Sequence, residues 1–132
     1  MDEREFKDRT KMLALRVIRL VEALPRNRTS EVIGRQLLRS ATSVGANYRA
    51  ACRARSNADM IAKLGIVEEE ADETLYWLEL LIEAGLMPES RLVELMQETD
   101  EIVAMTVASI KTLRRSRAQN PKSAIPNPKS EE

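Results

Sequence analysis

Five arginines, Arg35, Arg39, Arg49, Arg53 and Arg55, form the densest cationic stretch of the chain. A guanidinium is planar, permanently charged and able to hold a carboxylate or a phosphate at two points, so the chemistry these residues offer is anion recognition. Arg35, Arg39, Arg49 and Arg53 are separated by four, ten and four residues, which on a helix places them along one flank. The next part of the chain is the reverse in sign, with Glu68, Glu69, Glu70, Asp72, Glu73, Glu79 and Glu83. The four arginines can therefore pair with carboxylates, within the chain or across a subunit contact, or they can form a patch for phosphates or an acidic partner. Aromatic residues are only 3 % and the formal net charge is +0. Both favour pairing over nucleic-acid binding, which draws on stacking platforms and concentrated positive charge.

Little else in the sequence suggests reaction chemistry. The chain has 0 histidines and 1 cysteine, which removes the commonest general base, the usual activator of a nucleophile and most zinc sites. Glu69, Glu70 and Glu73 suggest a carboxylate metal site in a helical bundle, but di-iron bundles also use Glu-x-x-His, so a solvated acidic face is the better reading. Cys52 has Arg49 and Arg53 as helical neighbours, which would favour its thiolate; a small packing residue is the plainer reading. No Walker loop or dinucleotide fingerprint is present. The expectation is a non-enzymatic protein with no cofactor and no metal.

These residues must be positioned by helices. Phe6, Leu13, Val17, Leu20 and Leu24, widened by Ala14, Ile18 and Val21, mark a helix over about 3–24 that Pro25 stops. Ile33, Leu37, Ala41, Val44, Tyr48 and Ala51 mark a second over about 30–55, with Thr29 or Ser30 as its cap. Ser56 and Asp59 resemble a capping box that opens a third helix over about 57–84. Its stripe is Met60, Leu64, Val67, Ala71, Thr74, Leu78 and Leu81, and Gly85 ends it. Pro88 opens a fourth helix over about 88–118, with the stripe Leu92, Leu95, Thr99, Ile102, Thr106, Ile110 and Leu113. Four amphipathic helices with short connections predict an all-α, antiparallel up-down-up-down four-helix bundle over 1–118. Residues 119–132, with Pro121, Pro126 and Pro128, are expected to be a disordered tail.

The second helix also carries a line of small residues, Gly34, Ser40, Ala41 and Gly45. Glycine in a helix interior costs about 1 kcal/mol relative to alanine, so two of them imply that another backbone comes close. Gly34, Ala41, Gly45, Tyr48 and Trp77 are the expected oligomer interface. Asn47, beside the core stripe, either bonds across helices and fixes register or faces solvent.

Charge is segregated along the chain. Residues 1–29 carry a net +3, residues 30–57 a net +4 and residues 58–85 a net −7. A basic second helix followed by an acidic third suits an antiparallel hairpin with opposite charges along its seam. The length fits one domain. The charged Met1-Asp2-Glu3-Arg4-Glu5 start, the single cysteine and the absence of a long apolar run lead to the expectation of a cytoplasmic protein with no membrane partner.

The run Arg39-Ser40-Ala41-Thr42-Ser43-Val44-Gly45-Ala46-Asn47-Tyr48-Arg49, followed by Ser56 to Leu64 and by Glu69 to Leu78, resembles one family. These are the four-helix-bundle proteins named after reading frames in intervening sequences of bacterial 23S ribosomal RNA genes, often labelled S23 ribosomal proteins. The resemblance covers about residues 5–115. It implies an antiparallel bundle that assembles as a ring, a homopentamer. The family includes accessory variability proteins of diversity-generating retroelements, similar pentamers that bind a reverse transcriptase and nucleic acid through a basic surface. This chain departs from that subset in being neutral overall. The basic residues within the shared motif are Arg39 and Arg49, and only these carry over as candidates for such binding. The two expectations are thus a homo-oligomeric scaffold or adaptor and, as the alternative, an RNA- or DNA-binding accessory protein. The alternative would use the arginine flank together with Arg4, Lys7, Lys11, Arg16 and Arg19.

Overall fold

The computed structural model describes residues 2–119, with side chains through residue 116. Of the expected tail over 119–132, Gln119 is the last residue of the fourth helix and residues 120–132 lie outside the described residues. The element order is α1 (Glu3–Glu22), α2 (Arg28–Cys52), α3 (Asn57–Glu83) and α4 (Glu89–Gln119). Each helix packs on its neighbours in sequence, α1 also meets α4 over a much smaller surface, and the backbones of the diagonal pairs stay apart. This is the four-helix bundle that the apolar periodicity predicts.

Local chemistry sets the helix ends. Asp2 and Glu5 make a reciprocal capping box on α1: Glu5 N–H donates to Asp2 Oδ1 at 2.8 Å, and Asp2 N–H donates to Glu5 Oε1 at 3.2 Å. The cap of α2 is Asn27, earlier than the expected Thr29 or Ser30, because its amide oxygen accepts from Ser30 N–H at 2.8 Å. Ser56 caps α3 by accepting from Asp59 N–H at 3.1 Å. The Asp59 carboxylate reaches back one residue further than a capping box, to Arg55 N–H, and also pairs with Lys63 at 2.7 Å. At the far end of α3, Gly85 takes φ 74. Leu86 N–H there donates to the Leu81 carbonyl at 2.9 Å, and Gly85 N–H to that of Ile82 at 3.0 Å. This is a Schellman motif, which needs a left-handed residue at that position.

The core is the set of four stripes, with Leu13, Val17, Leu37, Val44, Leu64, Val67, Leu78, Leu81, Leu92 and Ile102 fully buried. Thr10, Ser40, Thr74, Thr99 and Thr106 are buried among them, and their hydroxyls reach carbonyls of the preceding helical turn. Ile18, expected to widen the core face of the first helix, lies on its outer side.

Candidate functional site

The arginine flank divides where α2 meets α3. Arg39 crosses that seam: its Nη1 donates to Glu70 Oε1 at 3.1 Å, and its Nη2 pairs with Glu73. Trp77 Nε1 donates to the same Glu73 carboxylate at 3.0 Å. The Trp77 indole first, and then the Arg39 guanidinium, hold Glu73 below the usual carboxylate range. Arg39 is thus occupied within the chain, as the opposite charges of the two helices predict.

Arg35, Arg49 and Arg53 are exposed and pair with no carboxylate among the described residues. Arg49 faces α1. With Arg4, Lys7 and Lys11 it rims a groove of ≈ 450 Å³, whose floor includes Ala14, Gly45 and Ala46 and whose only acidic lining residue is Asp8. A second hollow of ≈ 350 Å³ lies further along the same α1–α2 seam, lined in part by Arg26, Glu31, Arg35 and Leu38. Ser30 Oγ, buried and without a hydrogen-bond partner, also lines it. The first and second helices thereby share a positive groove at the Arg49 end of the seam, whereas Glu22 and Glu31 balance Arg26 and Arg35 in the second hollow.

The small-residue line packs inside the chain. A Cβ on Gly34 would meet Leu24 Cδ1 at 3.1 Å and Val21 Cγ1 at 3.4 Å. One on Gly45 would meet Thr10 Oγ1 at 3.3 Å and the Thr10 carbonyl carbon at 3.5 Å. At Gly45 the backbone that comes close is α1 of the same molecule, and at Gly34 the close groups are side chains at and just beyond the end of α1. Ala41 is fully buried, and Tyr48 packs edge-on against Phe6 with ring centroids 4.5 Å apart. Gly34, Ala41 and Tyr48 are therefore covered within their own bundle, while Gly45 and Trp77 are half-buried. Burial, and then the neighbouring Cys52, push the Tyr48 phenol above its ordinary value. Asn47 bonds locally, to the Ser43 carbonyl at 2.9 Å and to Ser43 Oγ at 2.8 Å. The polar contact that does cross helices is between Thr74 Oγ1 and Ser40 Oγ, 3.0 Å apart and buried.

Among the described residues no three carboxylate or cysteine groups converge as a metal site. Glu70 and Glu73 face Arg39, whereas Glu69, Asp72, Glu79 and Glu83 are exposed and form no ion pair among the described residues. The same helix carries two residues that the core pattern does not account for, Ile66 and Tyr76, 41 % and 52 % exposed. On α1, Met12, Leu15 and Ile18 are similarly exposed. The signal for all of these in the sequence is an apolar side chain lying off the core stripe.

Residues 3–108, nearly the whole bundle, match the family model described as the 23S rRNA-intervening sequence protein. The chain belongs to this family. A solved crystal structure similar to it is that of a protein with unknown function from the S23 ribosomal protein family, from Bacteroides thetaiotaomicron VPI-5482, at 1.70 Å resolution. The two are 38 % identical with a TM-score of 0.78, and the match covers 84 % of this chain and 99 % of that one. No curated protein matches the chain. For a 23S rRNA-intervening sequence protein, the matched residues include both the Arg39–Arg49 run and the acidic third helix. Among the described residues no helix is long and apolar enough to cross a membrane.

Proposed function

We propose that this 23S rRNA-intervening sequence protein is a non-enzymatic, homo-oligomeric scaffold or adaptor of the cytoplasm, assembled as a ring of five as the family resemblance implies. The observation that carries the reading is the set of apolar side chains on the outward faces of α1 and α3, above all Tyr76 at 52 % exposure. The bundle buries its core without them, Tyr76 touching only the edge of the core through Trp77 with ring centroids 5.0 Å apart, and exposed apolar surface of this kind marks contact sites. A chain without histidine, in which Glu70 and Glu73 already pair with Arg39, offers little for acid–base chemistry. Light scattering behind size exclusion tests the reading. A mass several times 14.9 kDa that persists on dilution is expected, and a monomer throughout would refute it.

A second reading is supported by the groove between α1 and α2. Arg4, Lys7, Lys11 and Arg49 rim it, and an assembly that leaves the groove open would repeat this weak phosphate site and raise its avidity. Such a protein binds RNA or DNA, or accompanies an enzyme that processes nucleic acid. Its affinity for a labelled RNA should fall steeply between 50 and 200 mM salt, by about 10³-fold or more if six or more phosphates are contacted in all. Arg49→Glu should weaken it further. Absence of binding in dilute buffer would exclude this reading.

A further inference from the structure

We infer that copies of this chain join head to tail, the acidic outer face of α3 on one copy docking into the basic α1–α2 groove of the next. The inference rests on the oligomeric reading above and adds the two surfaces that meet. On α3, Glu69, Asp72, Tyr76, Glu79 and Glu83 recur at steps of three and four, so they share one face. All five are exposed, and the four acids lack an ion-pair partner among the described residues. The face contains no base, and at Gly65 beside it nothing lies within 4 Å of where a Cβ would stand. It is therefore a smooth, acidic ridge with one aromatic anchor.

The α1–α2 seam is its counterpart. Arg4, Lys7, Lys11 and Arg49 surround a groove with a floor of small residues, Ala14, Gly45 and Ala46. A groove between two helices with a floor of small side chains is the shape that receives a third helix. Ile18 continues the apolar floor one turn beyond Ala14 and is 39 % exposed. Charge is complementary apart from Asp8 in the groove, and Lys7 there also pairs with Glu3 at 2.9 Å; the net opposition disfavours the two like-charged pairings, ridge on ridge and groove on groove. A two-fold dimer could satisfy both only if ridge and groove belonged to one patch of each copy. The ridge is on α3 and the groove lies between α1 and α2, so the contact is heterologous and closes into a ring when its rotation allows.

The test uses the full chain and reads molar mass by light scattering at 50 mM salt, with circular dichroism to confirm that each variant stays helical. Glu69→Lys with Glu79→Lys on the ridge should reduce the assembly to 14.9 kDa chains. Lys11→Glu with Arg49→Glu in the groove should do the same. All four changes in one chain restore opposite charges and should restore the assembly. Tyr76→Ala, which alters no charge, should raise the concentration needed for assembly at least tenfold. If the wild-type chain assembles and both reversed pairs assemble equally well, the docking is wrong while the oligomeric reading stands. If the reversed pairs dissociate but the combined variant fails to reassemble, the two surfaces are not each other's partners, and the docking is again overturned. A wild-type monomer refutes both.

Discussion

Arg9 on α1 and Glu98 on α4 form a two-point ion pair across the thinnest seam of the bundle. Arg9 Nε donates to Glu98 Oε2 at 2.8 Å, and its Nη2 donates to Oε1 at 2.7 Å. The same Nη2 also pairs with Glu101 at 2.8 Å. Arg9 Nη1 lies 3.5 Å from Met105 Sδ. Glu98, and then Glu101, strengthen the hold of the Arg9 guanidinium on its proton. Both partners are partly buried, so the geometry is held more firmly than in a surface pair.

Replacing Arg9 by alanine should therefore lower stability by about 1–2 kcal/mol, more than an exposed pair contributes. Arg9→Lys should recover only part of this, because an ammonium cannot make the two parallel bonds. A double-mutant cycle with Glu98→Gln in urea, at fixed protein concentration, measures the coupling. A coupling indistinguishable from zero would show that the α1–α4 seam is held by packing alone.

Glu73 provides a pH prediction. Its folded pKa lies below the ordinary value of 4.5 because Trp77 Nε1 and Arg39 bind its charged form. Between the folded and unfolded values the unfolded chain binds more protons, so stability falls as pH falls. This contribution is fully present above pH 4.5 and is lost as pH drops through the depressed folded value. Trp77→Phe removes the largest cause, so the Glu73 titration followed by carboxyl-carbon NMR should move up toward 4.5. An unchanged midpoint would mean that Arg39 alone sets it.

The helical glycines should respond in three different ways to alanine. Gly65 has open space around it, so Gly65→Ala should stabilise by about 0.5–1 kcal/mol through helix propensity. Gly34 would press on the Leu24 methyl at 3.1 Å, the end of a flexible side chain that can shift, so Gly34→Ala should be near neutral. Gly45 faces the buried, hydrogen-bonded Thr10 and its backbone, which cannot shift easily, so Gly45→Ala should destabilise. Chemical denaturation of the three variants gives the order, and equal effects would contradict the close approach of α1.

The buried Ser40–Thr74 contact should behave as a pair. Thr74→Val removes one hydroxyl and should cost about 0.5–1.5 kcal/mol. Ser40 keeps the Leu37 carbonyl as an acceptor at 3.2 Å, so the penalty stays at the low end. Ser40→Ala added to Thr74→Val should cost less than the sum of the two single changes. Strict additivity in thermal unfolding would indicate that the two hydroxyls act independently.

How much was legible in advance depends on how far each feature reaches along the chain. Apolar periodicity, Pro25, Ser56 and Gly85 act over a few residues, so the four helices and their core faces follow from the sequence alone, with errors of a residue or two at ends such as the Asn27 cap. The segregation of basic α2 from acidic α3 is equally local, and it makes pairing along their seam an expectation without saying which arginine takes part. The tertiary structure alone decided which arginines remain free. That depends on how α2 is rotated between α1 and α3: Arg39 turns toward Glu70 and Glu73, whereas Arg49 turns toward Arg4, Lys7 and Lys11. It also decided that α1 of the same chain comes close to Gly45, because a glycine marks a close approach without naming the element that approaches. Exposure of Ile18 and Tyr76 was settled the same way, since hydrophobicity is a property of a residue and burial is a property of its neighbours.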